Sequence, residues 1–213
     1  MTLRQRLFAP PRRLIAACFL MDMNVAMTGL AIQNMGIYKL SAPNVVLGLF
    51  ATLSSVTYTL GCLISGGLSD RYGRRRCAVV ACVGTMLAWV VLPNLGSWKY
   101  VLCAVPLSGA ALSLFWPSVQ AWLAELTTGG RQELNRNLGL FNILWATGLM
   151  IGPVASGYLW KVGPLWPFYV PAALALAMIP WLLGIPRGAP QATDTGAEEF
   201  AEHEDGTLFL HLA

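Results

Sequence analysis

Ten carboxylates occur in the 213 residues, and one of them, Asp22, lies well inside a long apolar run. The others are Asp70, Glu125 and Glu133 at polar breaks, and Asp194, Glu198, Glu199, Glu202, Glu204 and Asp205 near the end. An ionisable group inside an apolar membrane-length segment costs about 2.5 to 3.5 kcal/mol on insertion scales and is a functional candidate by default. Three roles are open to Asp22: exchanging a proton, pairing with a cationic substrate, or a structural hydrogen bond to a polar neighbour such as Asn24 or Asn142. A second constellation is charged, running through Gly66, Gly67, Leu68, Ser69, Asp70, Arg71, Tyr72, Gly73, Arg74, Arg75 and Arg76. Its glycines permit a sharp turn, and its aspartate can cap a helix or pair with a cation. A third is built of small residues, Gly148, Gly152, Pro153, Ser156 and Gly157. Small residues four apart allow close helix packing, and the proline bends the helix by removing a hydrogen bond.

Other chemistries lack their residues. Both histidines, His203 and His211, are near the end, outside every apolar run. The five cysteines, Cys18, Cys62, Cys77, Cys82 and Cys103, show no C-x-x-C spacing and read as small packing residues, so neither a disulfide framework nor a metal site is expected. No G-x-S-x-G or H-E-x-x-H motif and no paired membrane carboxylates occur, which argues against an intramembrane enzyme. No span carries interior arginines, which argues against a voltage sensor. No catalytic residue, metal ligand or cofactor is assigned, and no nucleic-acid-binding patch is expected.

The elements that must position these residues follow from composition. Hydrophobic residues make up 56% of the chain and charged residues 11%, against about 45 to 50% and about 25% in soluble domains. The apolar residues fall into six blocks, near 14–38, 45–68, 77–95, 100–125, 138–160 and 165–185, each close to the roughly 20 residues that cross a bilayer as helix. Two-residue alternation is absent, so a barrel is not expected. The predicted fold is an all-α membrane protein of six transmembrane helices.

Polarity divides the six spans into two sets of three. Spans one and four are rich in polar groups, including Asp22, Asn24, Thr28, Gln33 and Asn34, then Ser108, Ser113, Ser118, Gln120 and Glu125, whereas spans three and six carry almost none. Two three-helix repeats with binding near the midplane are a transporter signature. Spans one and four are then expected to line a cavity, with three and six facing lipid. Helical spacing puts Ser113, Trp116 and Gln120 on one face of span four, Ser54, Tyr58 and Ser65 on one face of span two, and Asn142 with Trp145 on span five. With Asn24, the residues Tyr58, Ser113, Trp116, Gln120, Asn142 and Trp145 are the candidate cavity for a small amphipathic organic substrate.

The charged constellation resembles, position for position, the G-x-L-a-D-R-x-G-R-R-x loop between helices two and three of major facilitator superfamily transporters. The span-five residues resemble the G-x-x-x-G-P-x-x-G-G motif of that family's exporters and proton antiporters, with Ser156 in a glycine position. The resemblance implies the amino-terminal half of such a permease and a gating role at the cytoplasmic face for Gly66, Asp70, Arg71, Gly73, Arg74 and Arg75. It implies a packing role for Gly148, Gly152, Pro153 and Gly157, and efflux by alternating access, with uptake by the same fold as the alternative. The intramembrane arginine of many proton-coupled members is absent, since Val105, Pro106, Leu107 and Ser108 precede Gly109.

On this reading, residues 1–13 form a cytoplasmic amino terminus, 14–185 the bundle, 186–206 a disordered acidic cytoplasmic linker, and 207–213 the start of a truncated seventh helix. The expected partners are a small-molecule substrate, the lipid bilayer and a further six-helix half, and the expected location is the bacterial inner membrane. Eleven arginines cluster before span one, in the second and fourth connections and after span six, while Lys39, Lys99 and Lys161 hold the other three connections. The positive-inside rule then puts both termini in the cytoplasm. A reporter fused after Arg187 should read as cytoplasmic and one inserted near Lys39, Lys99 or Lys161 as external; an external readout after Arg187 would make the span count odd.

Overall fold

The structure, a computed structural model, describes residues 9–188. The expectations for 1–8 and 189–213 lie outside the described residues. Six helices long and apolar enough to cross a membrane account for nearly all of the described chain. They are α1 (Pro10–Tyr38), α2 (Asn44–Tyr72), α3 (Arg74–Val91, continued by a 3-10 turn at Leu92–Asn94), α4 (Trp98–Leu126), α5 (Gly130–Val162) and α6 (Trp166–Leu183).

Helix ends follow local chemistry more than hydropathy. Prolines in the first turns of α1 and α6 lack a donor that would be orphaned there in any case. Gly73 separates α2 from α3 at φ 93°, a left-handed value that an L side chain resists. Helix α5 begins at Gly130 and not at residue 138, because the polar stretch before the apolar block is itself helical and carries a Glu133–Arg136 pair at 3.7 Å. The 29-residue helices span about 44 Å at 1.5 Å per residue, so their ends project beyond a hydrocarbon core of roughly 30 Å.

Packing pairs α1 with α5, α2 with α4, α3 with both α4 and α6, and α1 with α6. Exchanging α1 with α4, α2 with α5 and α3 with α6 turns that list into itself, so the bundle is two three-helix repeats. The apolar spans three and six do not simply face lipid: α3 and α6 pack on each other and bury Ala81, Cys82, Trp89, Phe168, Ala175 and Met178. Polarity misleads here because a lipid tail and a neighbouring helix are equally apolar surroundings. The least covered helices are α2 and α5, with 11% and 17% of their apolar windows buried.

Two crossings hold the repeats together. Gly148 and Gly152 let α5 lie on the backbone of α1, where a Cβ at Gly152 would stand 2.6 Å from both Ala26 Cβ and the Met23 carbonyl oxygen. One turn on, the Ser156 hydroxyl donates to the Met27 carbonyl at 2.8 Å. On the other side, Gly109 of α4 abuts the Ser54 carbonyl of α2, and Gly61 of α2 faces Ser113 of α4.

Added bulk in such a contact forces backbone shifts that cost about 1 to 3 kcal/mol. Gly152→Val should therefore lower the unfolding temperature of the detergent-solubilised protein measurably. Gly157→Ala, where nothing lies within 4 Å of the added Cβ, should leave it unchanged; equal effects would remove the close crossing as the cause.

Candidate functional site

Asp22 sits in the middle of α1 at the α5 crossing and is 3% exposed. A Cβ at Gly148 would stand 3.1 Å from Asp22 Cβ, so the glycine brings the carboxylate against α5. The Trp145 indole, three residues before Gly148 on α5, is the polar neighbour of this carboxylate. Tyr58 on α2 interacts with Cys62 one turn along its own helix and feels the charge of Asp22. The buried Oδ2 of Asp22 has no hydrogen-bond partner among the described residues. A carboxylate with an unpaired oxygen beside an indole can hold or release a proton, or accept a cation.

The remaining candidate cavity residues separate into groups. Asn24 is fully buried, and its side-chain amide has no partner among the described residues. Ser113 is buried in the α2–α4 crossing and donates to the Ala110 carbonyl at 2.7 Å. Trp116 is partly buried and stacks edge-on against Phe115 and against Phe141 of α5. Gln120 and Asn142 are exposed, and Trp145 is 41% exposed. The structure thus brings Asp22 and Trp145 together and does not enclose the seven in one cavity. A separate cavity of about 190 Å³ between α1, α2 and α4 carries Thr28, Gln33, Ser54, Ser55 and Ser108. The sequence offers Ser54 only on a face with Tyr58 and Ser65, and carries no signal that these five converge.

The α2–α3 turn is tied into the bundle by one guanidinium. Arg74 pairs with Asp70 one turn back on α2, and its Nε donates to Glu125 Oε1 on α4 at 3.1 Å. Arg74 also donates to the Ser69 hydroxyl. Arg136 pairs with Glu133 of its own helix. Gly66 has nothing within 4 Å of an added Cβ, so it makes no close approach here.

The same end of the bundle fastens the exit of α6. Arg75 donates to the Leu183 and Ile185 carbonyls, Arg13 to the Gly184 carbonyl at 3.0 Å, and the Trp122 indole to the Pro186 carbonyl at 3.2 Å. The Trp181 indole returns the link by donating to the Arg13 carbonyl at 3.0 Å. These bonds satisfy carbonyls that a helix end leaves unpaired. Glu125, Trp122 and Arg13 carry no motif in the sequence, and only their contacts identify them.

The sequence profile of the Major Facilitator Superfamily matches residues 14–210. The chain is 29% identical over 130 residues to the uncharacterized MFS-type transporter YqjV of Bacillus subtilis, covering 60% of this chain and 30% of that protein. It is 25% identical over 165 residues to multidrug resistance protein 1 of the same organism, covering 72% of this chain and 42% of the relative. With the class C tetracycline resistance protein of Escherichia coli it shares 25% over 127 residues, 60% of this chain and 31% of that protein. The chain thus spans about a third of the length of the curated relatives it matches.

The two carboxylates bound to Arg74 differ in exposure, 18% for Glu125 against 62% for Asp70. A partly buried charged hydrogen bond is worth about 1.5 to 3 kcal/mol, whereas an exposed pair contributes about 1 kcal/mol or less. Glu125→Gln should therefore lower detergent-state stability more than Asp70→Asn, read as midpoints of thermal unfolding; the reverse order would place the anchor on α2.

Proposed function

Because the chain belongs to the Major Facilitator Superfamily, we propose that it forms six helices of a secondary transporter that exports a small organic compound by alternating access. Transport is coupled to protons, and Asp22 is the group that takes up and releases the proton. The observation that carries this reading is the buried Asp22 carboxylate at the α1–α5 crossing, with an unpartnered oxygen beside Trp145. Export is supported by the span-five glycines, which form that crossing, and by relatives named for resistance to tetracycline and to multiple drugs.

In this scheme the exposed aromatic and amide groups of α4 and α5, Gln120, Asn142 and Trp145, face the substrate path, which a further set of helices closes from the opposite side. The α2–α3 turn serves as the gate contact at the cytoplasmic face, held to its own half by Arg74 while Asp70 stays largely exposed for a partner across the path. Both termini are cytoplasmic and the membrane is the bacterial inner membrane.

Asp22→Asn in the whole transporter removes the titrating charge with little change of shape. The variant should lose uphill, pH-dependent accumulation of substrate in vesicles and keep downhill exchange. Loss of binding confined to cationic substrates would make Asp22 a substrate ligand, and a reduced yield of folded protein would make it structural. Uphill transport with unchanged pH dependence would remove Asp22 from the mechanism.

A further inference from the structure

A cavity of about 860 Å³ opens at the arginine-rich end of the bundle, between the α2–α3 turn, the end of α4 and the exit of α6. Its walls carry Arg71, Arg74, Arg75, Arg76 and Arg187 against two carboxylates, Asp70 and Glu125. Both carboxylates are bound to Arg74. Arg75 is turned away to the carbonyls of α6. Arg71 makes only an in-sequence contact with the Tyr72 ring, and Arg76 and Arg187 have no ion-pair partner among the described residues. All three are exposed.

The α3 backbone adds to the imbalance. Its first turn begins in this cavity with three arginines, contains no acidic residue, and has no side chain capping its N-terminus. A helix N-terminus carries partial positive charge and is stabilised by anions, and around it Arg71, Arg76 and Arg187 have no carboxylate partner among the described residues. An anion entering the cavity would complement this excess of positive charge. Arginine supplies a planar fork that grips phosphate oxygens in pairs.

We infer that this cavity binds a phosphate-bearing anion, held by Arg71, Arg76 and Arg187. The position at the end of six membrane-crossing helices makes the headgroup of an anionic phospholipid one source of that phosphate, and dissolved phosphate the other. The Arg74 pairs fix the wall of the site and need not contact the ligand.

The test is native mass spectrometry of the full chain released from detergent, after titration with dioctanoyl phosphatidylglycerol, dioctanoyl phosphatidylcholine or inorganic phosphate. Phosphatidylglycerol should be retained well above phosphatidylcholine. Replacing Arg71, Arg76 and Arg187 by Gln should weaken that retention by roughly fivefold for each arginine, about a hundredfold together. Displacement of the lipid by inorganic phosphate assigns the site to phosphate from solution as well, and indifference to it assigns the lipid headgroup; either outcome supports a phosphate site. A triple Lys variant keeps the positive charge that sets insertion and serves where the Gln variant does not fold. It should bind severalfold more weakly, because the paired geometry is lost. Equal retention of the two lipids by the parent chain, or unchanged retention in the variants, overturns the inference.

Discussion

Everything central to this bundle depends on the approach of two helix backbones that lack side chains between them. At Gly148 and Gly152, α5 lies on α1 so closely that a methyl group has no room. In a bilayer no hydrophobic force drives helices together, so contact of this kind, reinforced by hydrogen bonds between them, supplies the association. The Ser156 bond to the Met27 carbonyl is such a reinforcement, placed one turn beyond the glycines on the same face. The crossing sets the height of Asp22 against Trp145, and so the chemistry of the centre depends on a packing constraint.

At the arginine-rich end the governing term changes from packing to charge. There Arg74 joins α2, α3 and α4, and Arg13 and Arg75 close the end of α6 by binding its last carbonyls. The arginine-rich turn is thereby tied to the bundle. Asp70, bound to Arg74 on one side, stays largely exposed.

The sequence revealed most of the architecture because the bilayer restricts what an apolar block can become. Each of the six blocks had to be a helix, since irregular backbone exposed to lipid leaves polar groups unpaired. Helix ends were less legible: residues 130–137 are polar, yet continue α5 beyond the apolar block as ordinary helix. Asp22 was legible as an isolated charge, and Trp145 from helical spacing. Spacing alone placed Ser113 and Gln120 together, although the structure buries the first against α2 and exposes the second. A helix face is set by period, whereas what covers that face is set by the neighbouring helix, which a single sequence does not specify. The role of Glu125 was hidden for the same reason, because its partner is 51 residues away in the chain.

The two repeats share a packing plan but not a chemistry, and the difference lies at equivalent crossings. In the α2–α4 crossing the residue facing the glycine is Ser113, whose hydroxyl is satisfied within its own helix by the Ala110 carbonyl. In the α1–α5 crossing it is Asp22, whose Oδ2 has no such bond among the described residues. A serine bonded to its own backbone adds nothing that can change with conditions, since it has no accessible charge state. A carboxylate in the equivalent crossing can change its charge, and with it the cost of keeping α1 and α5 in contact. The two crossings of a symmetric scaffold therefore differ in one titratable side chain: the α2–α4 crossing holds a serine satisfied by its own backbone, and the α1–α5 crossing a buried carboxylate with an unpartnered oxygen among the described residues.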